Sequence, residues 1–197
     1  MKRAAEEPLT SGQEKKAKLD HPLLFVQNKR SGYFHASRQS VWDTDGTLLI
    51  TFNPHTLSEK LTRQLSIFYK KHKFEIRVNE QLVADKTAED LQSWLKSKKV
   101  KRLNIAGNAM HRFPAPRIAQ SDVDKYVYDL LATACAAQGI QKVQSTAESG
   151  IGEAGIKAAM ALQIPAMVLA PQMWKWHDQR GYEQCDEECF KKRFDKQ

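Results

Sequence analysis

Residues 142–170 read KVQSTAESGIGEAGIKAAMALQIPAMVLA, and this stretch decides the fold. Lys142–Ser145 reads as a short strand. A turn of small residues follows, then Glu153–Leu162 reads as a helix rich in alanine, and Ile164–Ala170 is the most apolar strand of the chain. Strand, turn, helix and second strand form a parallel βαβ unit, because a parallel pair needs a crossover to bring the chain back to the same edge.

The same rhythm extends upstream. Ser121 with Asp124 opens a capped helix whose Val123, Val127, Leu130, Leu131 and Ala134 share one face until Gly139 stops it. Leu103–Ala106 reads as a buried strand ending in the loop Gly107-Asn108, and Thr87 with Asp90 starts a helix through Leu91, Trp94 and Leu95. Phe74–Val78 alternates as a strand does, and Leu57, Leu61, Leu65 and Phe68 recur at helical spacing. Leu23–Val26 and Leu48–Phe52 are strand-like runs, and Asp43-Thr44-Asp45-Gly46 between them is expected to make a hairpin turn. A last short helix is expected over Asp186–Phe194. The fold class is therefore α/β, Rossmann-like, a mostly parallel sheet with helices on both faces. The Rossmann-like core spans roughly residues 100–178, within one domain over residues 21–197, because no flexible linker precedes it.

Composition narrows the class. No apolar run approaches the roughly 20 residues that cross a bilayer, so no membrane partner is expected. Three cysteines, Cys135, Cys185 and Cys189, imply no disulfide framework and fit a reducing compartment, cytoplasm or nucleus. Residues 1–20 read as a disordered tail. In it Lys2-Arg3 and Lys15–Lys18 resemble a bipartite import signal, which makes an importin a candidate partner. The formal charge is +8, and residues 55–102 hold twelve Lys/Arg against six acids. That excess could attract an anionic partner, nucleic acid included. No aromatic residues interleave with those basic ones in the manner of a single-strand binder.

Parallel sheets bind ligands beyond the carboxyl ends of their strands, where amides and helix N-termini converge. Three strand exits qualify: Gly107-Asn108, Thr146–Gly152 and Pro171–Trp176. At the second, Gly150 and Gly152 let backbone approach an anion, Ser145, Thr146 and Ser149 add hydroxyls, and the helix offers amides at its positive end. Gly155 and Ala158 let that helix pack closely on the sheet.

Leu103–Asn108, the helix Asp122–Leu131, the glycine turn, Ala154–Ala158, Ile164-Pro165, Leu169–Pro171 and Trp174 together resemble small bacterial and phage Rossmannoid proteins of the SLOG superfamily. That superfamily is named for nucleotide-sensing domains and for lysine-decarboxylase-like phosphoribohydrolases. The resemblance covers roughly residues 100–178 and implies a site for a nucleotide or a nucleotide-derived sugar phosphate; no separate cofactor is expected. Its turn, Ser/Thr-Gly-Gly-Gln-Thr-Gly-x-Asp, is altered here. Thr146 and Ala147 replace paired glycines, Glu148 takes the Gln position, Ser149 the Thr position, and Gly152 the acidic one, with Glu153 next. Methyl groups at Thr146 and Ala147 crowd a phosphate and the Glu148 carboxylate repels it. The turn is thus expected to persist as architecture while its ligand or chemistry has changed.

Hydrolysis at an N-glycosidic or phosphoester centre needs a carboxylate and cations. Glu148 and Glu153 are the candidate acids or bases, and Arg112, Lys157 and Lys175 the candidate anion clamps. Gly107, Asn108, Ser145, Thr146, Ser149, Gly150, Gly152 and Lys175 are the candidate ligand-binding set, with Asn108 orienting a ribose hydroxyl. The competing reading is a non-catalytic interaction protein that uses its basic middle segment. Two patterns are set aside. Asp43–Leu48 matches a phosphatase nucleophile motif but lacks the buried strand before it and an acidic magnesium motif after it. Cys185, Cys189 and His177 supply three metal ligands where structural zinc takes four. No metal site is expected. Trp174 and Trp176 are expected to join the core.

Overall fold

A computed structural model describes residues 23–27, 33–78, 82, 85–113, 118–135, 139–178, 180–184 and 186–195. In chain order these form β1 (Leu24–Gln27), α1 (Tyr33–Trp42), β2 (Gly46–Thr51), α2 (Leu57–Phe68), β3 (His72–Arg77), α3 (Asp85–Ser97) and β4 (Arg102–Gly107). After β4 come a 3-10 turn (Met110–Arg112), α4 (Gln120–Cys135), β5 (Lys142–Ser145), α5 (Ile151–Ala161) and β6 (Ala166–Ala170). A second 3-10 turn (Gln172–Trp174), a small hairpin of β7 (Trp176–His177) and β8 (Glu183–Gln184), and α6 (Glu187–Lys192) complete the described chain. The proposed import signal and Cys185 lie outside the described residues.

Six strands pair in the order β1-β6-β5-β4-β2-β3, every pair parallel. The fold is Rossmann-like, and residues from Leu24 to Ala170 contribute to one sheet. The connections through α1 and α2 cross the sheet in one direction, those through α3, α4 and α5 in the other. Right-handed crossovers of opposite direction must lie on opposite faces. Accordingly α3, α4 and α5 pack side by side on one face, and α1 and α2 on the other.

The two faces differ in chemistry. Under α3–α5 the sheet presents Leu48, Ile50, Leu103, Ile105, Val143 and Val168, all buried. Each such side chain stabilises the fold by about 1.5–3 kcal/mol. A Cβ at Gly155 would sit 2.7 Å from the Ile105 side chain, so glycine there brings α5 down onto β4. Under α1 the buried contacts are largely polar. Ser40 donates to Asn104 Oδ1 (2.5 Å), and Asn104 Nδ2 donates to Thr47 Oγ1 (3.2 Å).

That polar layer explains the main correction to the sequence reading. The segment between β1 and β2 is a helix, and β1 and β2 are not paired. The inward residues of α1 are Ala36, Ser37, Ser40 and Val41. Two of the four are serines, so hydrophobic periodicity does not mark the helix. Asp43–Asp45 is consequently a helix-to-strand turn, not a hairpin turn. The Asp45 carboxylate accepts from the backbone N–H of Lys101 and Arg102 and pairs with the Arg102 guanidinium at 2.9 Å. It tethers this turn to the start of β4.

Candidate functional site

Neighbouring strands β2 and β4 send their exits to opposite faces, β2 into α2 and β4 toward α4. Such a divergence opens a crevice at the carboxyl edge of a parallel sheet. A cavity of about 830 Å³ occupies that edge. Its wall takes His55, Thr56, Leu57 and Ser58 from the β2 exit and the first turn of α2. From the β4 exit come Gly107, Ala109, His111 and Arg112, and from the β5 exit Glu148. Pro171, Gln172, Met173, Lys175, His177 and Glu183 close the β6 side.

All three exits chosen from the sequence therefore reach one cavity, and Gly107, Arg112, Glu148 and Lys175 line it. Gly107 is required by close approach: a Cβ there would lie 2.1 Å from the Ile50 carbonyl oxygen. The Glu148 carboxylate accepts from the backbone N–H of His177 (3.0 Å) and contacts its Nδ1 (2.9 Å). The His177 ring lies 5.4 Å from the His111 ring. Burial, then the nearby charges of Arg112 and His177, push the His111 imidazole below its ordinary pKa, which favours its neutral form. Its Nδ1 is buried with no hydrogen-bond partner among the described residues. Lys175 pairs with Glu183 at 2.9 Å on the rim.

The rest of the candidate set is spent inside the protein. Asn108 accepts on Oδ1 from the backbone N–H of Phe52 (2.7 Å) and Asn53 (2.9 Å), and donates from Nδ2 to the Asn53 carbonyl. Its side chain holds the β2 and β4 exits together. Ser145 Oγ accepts from the Ala147 N–H (3.1 Å). Ser149 Oγ donates to the His177 carbonyl (2.8 Å) and so anchors the hairpin. Thr146 is half-buried and does not line the cavity.

Three of the amides expected to hold an anion are likewise engaged. Gly150 N–H donates to the buried Gln120 side chain (2.7 Å), Ile151 N–H to the Asn108 carbonyl (3.3 Å) and Glu153 N–H to the Glu148 carbonyl (2.9 Å). Gly150 has φ +98°, and a Cβ there would meet the Asn108 carbonyl at 2.5 Å. Backbone packing thus demands that glycine. At Gly152 a Cβ would lie 3.0 Å from Ser145 Oγ, so glycine seats the helix start against the end of β5. Ala147 occupies the left-handed region (φ +53°), where the resembling pattern has glycine.

Glu153 is buried between Arg193 (2.8 Å) and Lys157 (2.7 Å), and Lys157 also reaches Asp124 (2.9 Å). Both are parts of a structural ion network and lie away from the cavity wall. Arg193 stacks over the Trp176 ring at 4.0 Å, while Trp174 packs against Phe25 and Phe190.

Three features of the site escape sequence reading. His55, His111 and His177 come from the β2 exit, the first 3-10 turn and β7, with no spacing that links them. The first turn of α2 faces the cavity, and Thr56 makes no side-chain cap there. Glu59 in that turn is only 1% exposed; burial pushes its carboxyl up, against the pull of Ser58, Arg63 and Arg112.

A search of curated proteins finds no match. Among solved structures, a crystal structure of a "Putative molybdenum carrier protein" from Syntrophus aciditrophicus SB matches at 28% identity and a TM-score of 0.45. The match covers 54% of this chain and 63% of that one, so the chain spans less than two thirds of that protein's length. The family model of the circularly permutated YpsA SLOG family matches residues 16–131. That stretch takes in β1 through most of α4 and leaves the glycine turn at 146–153 outside, although the resemblance is read from the sequence over residues 100–178. With more than half of its length matched, the chain belongs to the circularly permutated YpsA SLOG family.

Proposed function

We propose that the protein binds a nucleotide or nucleotide-derived phosphate in the cavity between the β2 and β4 exits, with the 146–153 loop contributing Glu148 to its wall. The observation that carries this reading is one cavity wall bearing Arg112, Lys175, three histidines and the first turn of a twelve-residue helix. Cations and a helix N-terminus complement phosphate. Leu57, Pro171 and Met173 on the same wall offer apolar surface to a base or sugar. Family membership supports a nucleotide-related ligand.

Hydrolysis is the finer reading, favoured by the contact between Glu148 and His177. A carboxylate on Nδ1 fixes an imidazole's tautomer and orientation and leaves Nε2 for proton transfer with water. Glu148 then acts through His177, and water would attack the N-glycosidic or phosphoester centre of a ligand held by Arg112.

Thermal shifts against mononucleotides, NAD, ADP-ribose and ribose phosphates test binding. A ligand of this class should raise the Tm of the parent, and Arg112→Gln should weaken its binding about tenfold. No shift with any of them in folded protein would sink the reading. Hydrolysis is tested by turnover of the ligand that binds. His177→Gln should abolish product formation and leave binding within a few-fold; unchanged turnover would remove His177 from the chemistry.

A further inference from the structure

Independently of the cavity, the outer faces of α1 and α2 depart from ordinary surface chemistry. On α1, residues four apart, Phe34, Arg38 and Trp42, all face outward, and Phe34 and Trp42 are 47% and 58% exposed. On α2 the buried residues are Glu59, Thr62, Leu65 and Ser66, while Ile67 and Phe68 are 76% and 75% exposed. Surface helices bury the apolar stripe and expose the polar one. Here three of the four buried residues of α2 are polar, and its C-terminal turn shows solvent an isoleucine and a phenylalanine.

The exposed rings are contiguous. Tyr69 lies 4.8 Å from the Trp42 ring and 4.9 Å from the Phe68 ring, centroid to centroid. Cations accompany them: Lys71 Nζ is 5.9 Å from the Trp42 ring, and the Arg38 guanidinium 6.0 Å from the Tyr69 ring. Residues 33–42 and 57–71 carry Arg38, Lys60, Arg63, Lys70 and Lys71 against a single carboxylate, Glu59, and that one is buried. Asp43 stands at the margin, next to Trp42.

We infer that this α1/α2 platform binds single-stranded nucleic acid, with bases stacking on Trp42 and Phe68 and phosphates held by Arg38, Lys70 and Lys71. In sequence, residues 55–102 lack the aromatic interleaving of a single-strand binder. The fold supplies it by bringing Trp42 of α1 beside Tyr69 and Phe68. Exposed rings beside a basic track form a stacking surface, tolerant of sequence because every base has a π-face. Duplex offers only base edges and phosphates to a protein surface, so the rings select unpaired strands. Charge complementarity favours this occupant over a second copy of the chain, whose equally basic platform would repel the first.

The test is fluorescence anisotropy of a labelled short oligothymidylate with the full chain, at about 50 mM and about 200 mM salt. Binding should weaken steeply between the two salts. Phe68→Ala and Trp42→Ala should each weaken it about tenfold, the loss of one stacked base. Phe68 is mostly exposed, so Phe68→Ala should leave the Tm unchanged and remains decisive if Trp42→Ala perturbs the fold. Absence of binding at low salt, or equal affinity for parent and Phe68→Ala, overturns the proposal. So does a dimer on sizing chromatography that Phe68→Asp converts to monomer, since a second copy would then cover the platform.

Discussion

At the residue scale, Gly150 carries more than its turn. Its positive φ and the 2.5 Å approach of the Asn108 carbonyl leave no room for a side chain. Gly150→Ala should therefore cost about 3 kcal/mol or more in urea unfolding, whether or not ligand is present. A change at Gly150 thus reports on folding, and Arg112 is the better probe of binding. Two carboxylates show opposite pH behaviour. Arg63 and Lys73 hold Glu75 down to about 2 from 4.5, so its ionised form stabilises the fold above pH 4.5 and that contribution fades as pH falls toward 2. Glu75→Gln should cost about 1–2 kcal/mol at pH 7 and flatten the acid limb of a Tm-versus-pH profile. Burial raises Glu59 instead, so ionising it costs stability as pH climbs through its folded pKa. Glu59→Gln should raise the Tm at pH 7 and not at pH 4; a lower Tm at pH 7 would mean that the carboxylate is needed as an anion.

At the element scale, much of the fold is legible in the sequence. The periodic runs of α3–α5 and the apolar strands β4–β6 announce themselves because each buries an apolar face. The run that marks α2 does so differently, since its Leu57 and Phe68 stay exposed and its buried side is mostly polar. α1 does not announce itself, since two of its buried residues are Ser37 and Ser40, and the tertiary contact of Ser40 with Asn104 is invisible in the sequence. The site is legible in part for a related reason. Strand exits can be inferred from topology, so Gly107, Glu148 and Lys175 were reachable, but a hydroxyl or amide facing a ligand looks in sequence like one facing backbone. Asn108, Ser145 and Ser149 are of the second kind. α6 is the clearest test at this scale. Arg193 is 10% exposed at its side chain, and it joins Glu153, the Ala147 carbonyl and Trp176. Arg193→Met should cost about 3 kcal/mol, because Glu153 then keeps only Lys157 as a partner. Chemical denaturation measures it; a loss below about 0.5 kcal/mol would make the buried pair dispensable.

At the scale of the whole molecule, the two proposed binding surfaces lie at opposite ends of α2. Its N-terminal turn lines the cavity at the carboxyl edge of the sheet, and its C-terminal turn carries the Phe68–Tyr69 platform. One helix touching both offers a rigid link between them, and each surface has its own test. A crystal structure grown with saturating AMP tests most directly where the ligand binds. The expected result is density between the β2 and β4 exits, with phosphate oxygens within hydrogen-bonding distance of Arg112 and the first turn of α2. An empty cavity at saturation, or phosphate bound at another surface, would contradict it.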